Sequence, residues 1–360
     1  MKALPLALLA CCLLTACATT TRMETIRISP DNRGFVLAPS GKAFRPWGHN
    51  YCGNNGRLIE DYWETEWPTV ENDFREMKRL GANVVRVHLE FPKFMDGPDK
   101  PNEMALRQLD RLVALAERTG LYLDVTGLAC YRTKDVPAWY DNLDEASRWA
   151  AQARFWEAVA AHCAKSPAIF CYDLINEPVS PVAKREKGGW YSGNPLGGYD
   201  FVQFIALDPG KRTKEEVALR WIATLSAAIR KHDPDHFITV GLWVWSGFTP
   251  DKVAPSLDFL CVHLYPETGK HETVMSQLQR YAVGKPVVIE ETFPLSCSGP
   301  ELEKFLLASR KHACGWIGHY DGKTIADYEA LSAAKKLTLP QALWLEWLRI
   351  FVKLKPEMSP

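Results

Sequence analysis

The sequence has no charge excess. Its 43 Lys and Arg are matched by 43 Asp and Glu, and charged residues make up 24% of the chain. That balance excludes the basic face of a nucleic-acid binder and gives no bias toward an acidic partner. It also has no CxxC pair. Beyond Cys11, Cys12 and Cys17, the cysteines Cys52, Cys130, Cys163, Cys171, Cys261, Cys297 and Cys314 show no metal-ligand spacing. One disulfide stays open, but a disulfide framework is not indicated. Several of these thiols lie in apolar runs, where free Cys acts as a small hydrophobe. There is no HExxH helix and no clustered histidine set, so no metal is expected. No Gly-rich phosphate loop follows the first strand, and no other cofactor is expected. Repeats and low-complexity linkers are also missing, so residues 24–360 read as one domain.

The one long apolar run is N-terminal. Met1-Lys2 is a short basic start, and Ala3 to Ala16 is too short to span a bilayer comfortably. The run ends Leu14-Thr15-Ala16-Cys17, which resembles a bacterial lipobox with Cys17 as the lipidated residue. Residues 1–16 are then a lipoprotein signal peptide and 17–23 a tether. An ordinary signal peptide and an uncleaved anchor are the alternatives. The expected location is the bacterial cell envelope, lipid-anchored, or secreted, with membrane contact through that anchor alone.

What the sequence has in quantity is Trp, 13 copies, and a regular helix–strand alternation. Ile26 to Ile28 and Gly34 to Leu37 predict a small hairpin. Apolar strand-like runs then start near Phe44, Asn83, Leu121, Ala168, His236, Leu257, Val287 and Ala313. Amphipathic helical patterns fill most of the gaps, among them Trp67 to Leu80, Met104 to Thr119, Asp144 to Ala164 and Thr213 to His232. Eight β/α units in roughly 300 residues predict an α/β fold, a (β/α)8 TIM barrel. A doubly wound sheet is the alternative.

In a barrel the carboxyl ends of the strands converge on one mouth, where the chemistry sits. The polar residues at those ends are Asn50, Arg86, His88, Asn176, Glu177, His263, Tyr265, Glu290, Glu291 and His319. Pro178 has no amide hydrogen for a sheet ladder, so the fourth strand should end at Glu177. Glutamates on two nearly opposite strands suit glycoside hydrolysis, in which one carboxyl protonates the leaving oxygen and the other attacks carbon or activates water.

Four motifs occur in order: Gly81-Ala-Asn-Val-Val-Arg86, Ile175-Asn-Glu-Pro178, Val262-His-Leu-Tyr265 and Lys285-Pro-Val-Val-Ile-Glu-Glu291. Over about Phe44 to Tyr320 the chain resembles glycoside hydrolase family 5. The resemblance implies a carbohydrate substrate and a retaining mechanism, with catalytic carboxyls about 5–5.5 Å apart. Glu177 matches the acid/base, Asn176 the residue that binds the sugar 2-hydroxyl, and His263 a sugar-contacting histidine. Arg86 and Tyr265 match residues that hold the nucleophile. Strand alternation admits one inward carboxylate from the Glu290-Glu291 pair, and spacing from Lys285-Pro286 matches Glu291 to the nucleophile, leaving Glu290 in support. The paired glutamates are also found in β-mannanases of the family.

Two positions depart from the family pattern. The third strand ends Thr126-Gly-Leu-Ala-Cys130 without a histidine, and His319 or Tyr320 replaces a frequent Trp on the eighth. The Gly- and aromatic-rich loop 188–200 is long enough for a cleft wall, with Trp190 and Tyr191 as sugar-stacking faces, or for a self-packed surface loop. The expected activity is hydrolysis of a β-linked glucan, mannan or related oligosaccharide. A transglycosylase on the same residues and a non-catalytic carbohydrate-binding lipoprotein are the alternatives.

Overall fold

A computed structural model describes residues 23–51 and 53–359. The signal peptide, Cys17 and nearly all of the tether lie outside the described residues. Eight parallel strands close into a barrel in simple sequential order. They are β1 (Trp47–Tyr51), β2 (Val84–Glu90), β3 (Tyr122–Ala129), β4 (Ile169–Asn176), β5 (Phe237–Trp243), β6 (Leu260–His263), β7 (Val287–Glu291) and β8 (Gly315–His319). Nearly every strand residue is buried, because each strand faces the barrel interior on one side and a helix layer on the other.

The surrounding helices are α1 (Trp67–Leu80), α2 (Glu103–Thr119), α3 (Glu145–Cys163), α4 (Lys214–Arg230), α5 (His271–Gln279), α6 (Gly299–Ser309), α7 (Ile325–Ala333) and α8 (Leu339–Met358). Gly81 and Gly120 end α1 and α2 in the left-handed conformation, at φ 105° and 64°. Residues with a Cβ rarely adopt it, which is why these glycines mark helix ends. Short turns at Pro250–Val253 and Ala254–Ser256 stand between β5 and β6 in place of a long helix.

The predicted hairpin forms, as Thr25–Ile28 paired with Phe35–Ala38, and takes Ala43–Phe44 as a third strand. The expected first barrel strand is therefore split. Phe44 belongs to this small sheet, and the barrel strand starts at Trp47, after Pro46, which cannot donate to a ladder. Phe35 and Phe44 pack edge-on against Phe170, Phe259 and Tyr122, closing the barrel floor with aromatic rings. Cys130, Cys163, Cys171, Cys261, Cys297 and Cys314 are free thiols. Among the described residues no helix is long and apolar enough to cross a membrane.

Candidate active site

The mouth is organised by Arg86, which rises from the middle of β2 and is fully buried. Its Nη1 donates to Glu291 Oε1 (2.6 Å) and Asn50 Oδ1 (2.7 Å). Nη2 donates to Asp173 Oδ2 (2.7 Å) and Asn176 Oδ1 (3.0 Å). The guanidinium thus ties β1, β2, β4 and β7 together, and a rigid planar fork suits that task. Burial alone would weaken its charge, but Glu290, Asp173 and Glu291 outweigh burial and hold it protonated.

Glu291 is clamped at both oxygens, by Arg86 at Oε1 and by the Tyr265 hydroxyl at Oε2 (2.6 Å). Burial would raise its pKa, but His263 and Arg86 prevail and keep the carboxylate ionised. Glu177 follows β4 with φ +45°, a left-handed backbone conformation that is costly for a residue with a Cβ. Its amide donates to Gly241 O (2.9 Å), pinning the kink to β5. Glu177, His263 and Glu291 each offer an atom within 4.8 Å of the others. His263 Nδ1 lies 3.0 Å from Glu177 Oε1 and its Nε2 lies 3.2 Å from Glu290 Oε2. Burial lowers the imidazole pKa, but Glu291, Glu177 and Glu290 together raise it to about 10.

The expectation of one inward carboxylate on β7 is overturned. The β6–β7 register shifts between Val262 and His263, so His263 pairs with Glu291 and strict alternation is lost. Glu291 reaches the mouth. Glu290 lies below it inside the barrel, 3.5 Å from Arg86 and beside Asp124 and Asp173. The Glu177–His263–Glu291 and Asp124–Asp173–Glu290 groups have the spacing of metal ligands. Their negative charge is already met, however, by Arg86 and by the protonated His263.

Asn50, His88, Asn176, Glu177, Tyr265, Glu291 and His319 meet around one cleft of about 450 Å³. His88 bonds to the Tyr131 hydroxyl (2.5 Å), and burial next to Arg86 keeps it neutral. His319 Nε2 meets the Tyr265 hydroxyl at 3.0 Å. Arg86 and His263 sit beneath the cleft surface and hold the carboxylates.

Trp190 does not reach the cleft. It is 4% exposed, donates to Asp141 O and lies 4.3 Å from the Arg148 guanidinium, because the loop folds its large rings inward onto α3. Tyr191 turns the same way and bonds Asp141. Instead Leu196, Phe201, Phe293, Leu295, Leu343 and Trp344 form the apolar wall. Leu196 puts the 188–200 loop on the cleft wall, as one of its two readings had it, through a residue other than the expected Trp190 and Tyr191; the other five were not legible beforehand. They come from the loop after β4, the loop after β7 and α8, and no periodicity links them. Trp344 lies 4.7 Å from Phe293 and 6.3 Å from His319, ring to ring, next to the β8 end where the family's frequent Trp is replaced. A second depression, of about 550 Å³, opens on the floor side near Arg45 and Arg310, far from these carboxylates.

Known proteins bear on this geometry in two ways. Residues 38–344 match the family model Cellulase (glycosyl hydrolase family 5). Mannan endo-1,4-beta-mannosidase A of Podospora anserina is 25% identical over 260 residues, covering 64% of this chain and 53% of that protein. Mannan endo-1,4-beta-mannosidase F of Aspergillus clavatus is 26% identical over 189 residues, 44% of this chain and 36% of that protein. The chain therefore spans about half or less of the length of these curated relatives. Among solved structures, an exo-beta-1,4-mannosidase from Opitutaceae bacterium strain TAV5 superposes with TM-score 0.65 at 17% identity, covering 92% of this chain and 62% of that one. The beta-1,4-mannanase of the sea hare Aplysia kurodai gives TM-score 0.62 at 15% identity, over 92% and 96% of the two chains. At that identity the structures speak to the fold, a (β/α)8 barrel, while the family match spans most of the sequence: the chain belongs to glycosyl hydrolase family 5.

Proposed function

We propose that the protein hydrolyses β-linked mannosides by double displacement, with Glu291 as nucleophile and Glu177 as acid/base. The observation that carries this reading is the pairing of a clamped, ionised Glu291 with a Glu177 whose carboxyl oxygen lies within 4.8 Å of it. That proximity suits a retaining enzyme and leaves no room for the water an inverting enzyme places between its carboxyls. In the first step Glu291 attacks the anomeric carbon as Glu177 gives its proton to the departing oxygen, leaving a glycosyl ester. In the second, Glu177 takes a proton from water, the hydroxide oxygen attacks the same carbon, and Glu291 is released. Asn176 Oδ1 is fixed by Arg86, and its amide nitrogen lies 3.2 Å from Phe201 O, so the side chain presents one orientation to the sugar.

The choice of mannose rests on the mannan-acting relatives and on the paired Glu290-Glu291. Purified protein is expected to release sugar from β-mannan or mannooligosaccharides with retained anomeric configuration, followed by proton NMR. Glu177→Gln and Glu291→Gln should each lower kcat by at least about 10³. Wild-type turnover that survives both substitutions would overturn the assignment. The cell-envelope location is a further part of this reading, supported by the Leu14-Thr15-Ala16-Cys17 run. Cys17→Ala should move the protein from the membrane to the soluble fraction of a bacterial host, and unchanged membrane recovery would argue against lipidation.

A further inference from the structure

The double displacement uses two glutamates, yet three more buried acids lie under them. Asp124, Asp173 and Glu290 each offer a carboxyl oxygen within 4.8 Å of the others inside the barrel, and all three are fully buried. Arg86 satisfies Asp173 directly, while both oxygens of Asp124 and Oε1 of Glu290 have no N–H or O–H donor from another residue type. Two buried carboxylates left facing each other cannot both be ionised. Asp124 and Glu290, with carboxyl oxygens within 4.8 Å of each other, are relieved by one carboxyl proton held between them. Burial and the Glu290 charge drive that proton onto Asp124. Burial would raise Glu290 too, but Arg86, His263 and the Asp124 proton keep it ionised.

Glu290 then faces His263. That imidazole has a carboxylate at each ring nitrogen, Glu177 at Nδ1 and Glu290 at Nε2. The ionised Glu290 only accepts hydrogen bonds, so Nε2 carries an N–H, and only the doubly protonated ring then has a second N–H at Nδ1 for Glu177 Oε1. Glu291 lies 3.5 Å from Nδ1 on the cleft side. The other charged or titratable groups around the ring are Arg86 and His88 from β2, Asp173 from β4, Tyr265 after β6 and His319 from β8.

We propose that Glu290, with Asp124 as its protonated partner, is a positioning residue for the acid/base. Its carboxylate keeps His263 doubly protonated, so an N–H stays aimed at Glu177 Oε1 and the transferable proton is confined to Oε2. The register shift between β6 and β7 hid this role, because it turns Glu290 into the interior layer below the mouth, where strict alternation would not put it. The proposal deepens the retaining reading and rests on Glu177 as acid/base.

The test is histidine nitrogen NMR on the full chain, with kcat/KM profiled against pH. In the wild type, His263 should remain doubly protonated through neutral pH. In Glu290→Gln its titration should fall clearly below about 10, while Glu291 and Glu177, which remain, hold it above the ordinary imidazole value. The kcat/KM profile should acquire a break at that same pH, losing about tenfold above it. Asp124→Asn, a neutral copy of the protonated acid, should leave His263 charged. A wild-type His263 that titrates near neutrality would overturn the proposal. So would a His263 titration in Glu290→Gln equal to that of the wild type, or an Asp124→Asn variant that lowers it as Glu290→Gln does. If Glu290→Gln fails to fold, the wild type and Asp124→Asn still decide. Failure on every mannoside would count against the proposed substrate and leave the NMR outcome standing.

Discussion

Arg86 shows how one side chain sets a site without touching the substrate. Its two terminal nitrogens fix Glu291, Asn176 and the interior Asp173 at the same time. At this scale the sequence was most legible where a residue's chemistry is bound to its motif. Glu177, Asn176, Arg86, His263, Tyr265 and Glu291 converge as their order along the chain implies. Trp190 shows the opposite case: a large ring in a Gly-rich loop reads equally well as cleft or core, and packing against Arg148 decided for core. Trp344 supplies an aromatic face from α8, which also lends Leu343 to the cleft wall. Trp344→Ala should raise KM by about three- to tenfold with little change in kcat, as expected for a lost stacking face. Steady-state kinetics on an oligosaccharide would show it, and an unchanged KM would place the ring outside the occupied subsites.

At the scale of elements, helix ends and the end of β4 were readable because glycine and proline act locally, as at Gly81, Gly120 and Pro178. Register was not, since the shift between Val262 and His263 depends on how β6 meets β7, and it alone decides where both glutamates of β7 go. α7 also escaped notice, its nine residues burying a single side chain, Tyr328. The contact between β8 and α8 is tight for a stated reason. A Cβ on Gly318 would come within 1.8 Å of the Trp347 ring, whose Nε1 donates to His319 O (2.8 Å). Gly318→Ala should therefore cost about 1–3 kcal/mol of stability through overpacking. It should also loosen His319 against Tyr265, lowering Tm and activity together. A Tm equal to wild type would mean that α8 yields without cost.

For the whole molecule, barrel closure brings residues from almost the full length of the chain to one cleft, so the fold was legible from its alternation while the cleft walls were not. Closure also buries acids outside the site. Glu60 and Glu90, on the rim near β2, have pKa values pushed by burial to about 7 and about 8, with the Glu60 carboxyl adding to the shift at Glu90. Folded values raised above 4.5 mean the native state holds these protons more tightly than the unfolded chain. The resulting stability is complete at low pH and is lost as pH rises through 7 to 8. Tm should fall between about pH 5 and pH 8.5, and Glu90→Gln should flatten part of that slope; an identical slope in the variant would assign it to other groups. The aromatic floor has its own effect on timing. Phe35 and its neighbours stopper one end of the barrel just beneath Cys171 and Cys261, which touch the interior acids. A sugar seated over Glu177 and Glu291 stoppers the other end. The interior acids then meet bulk protons only through the cleft, by way of Glu177 and His263, so their charges follow the pH whenever water enters it, between sugars and again as the second-step water arrives.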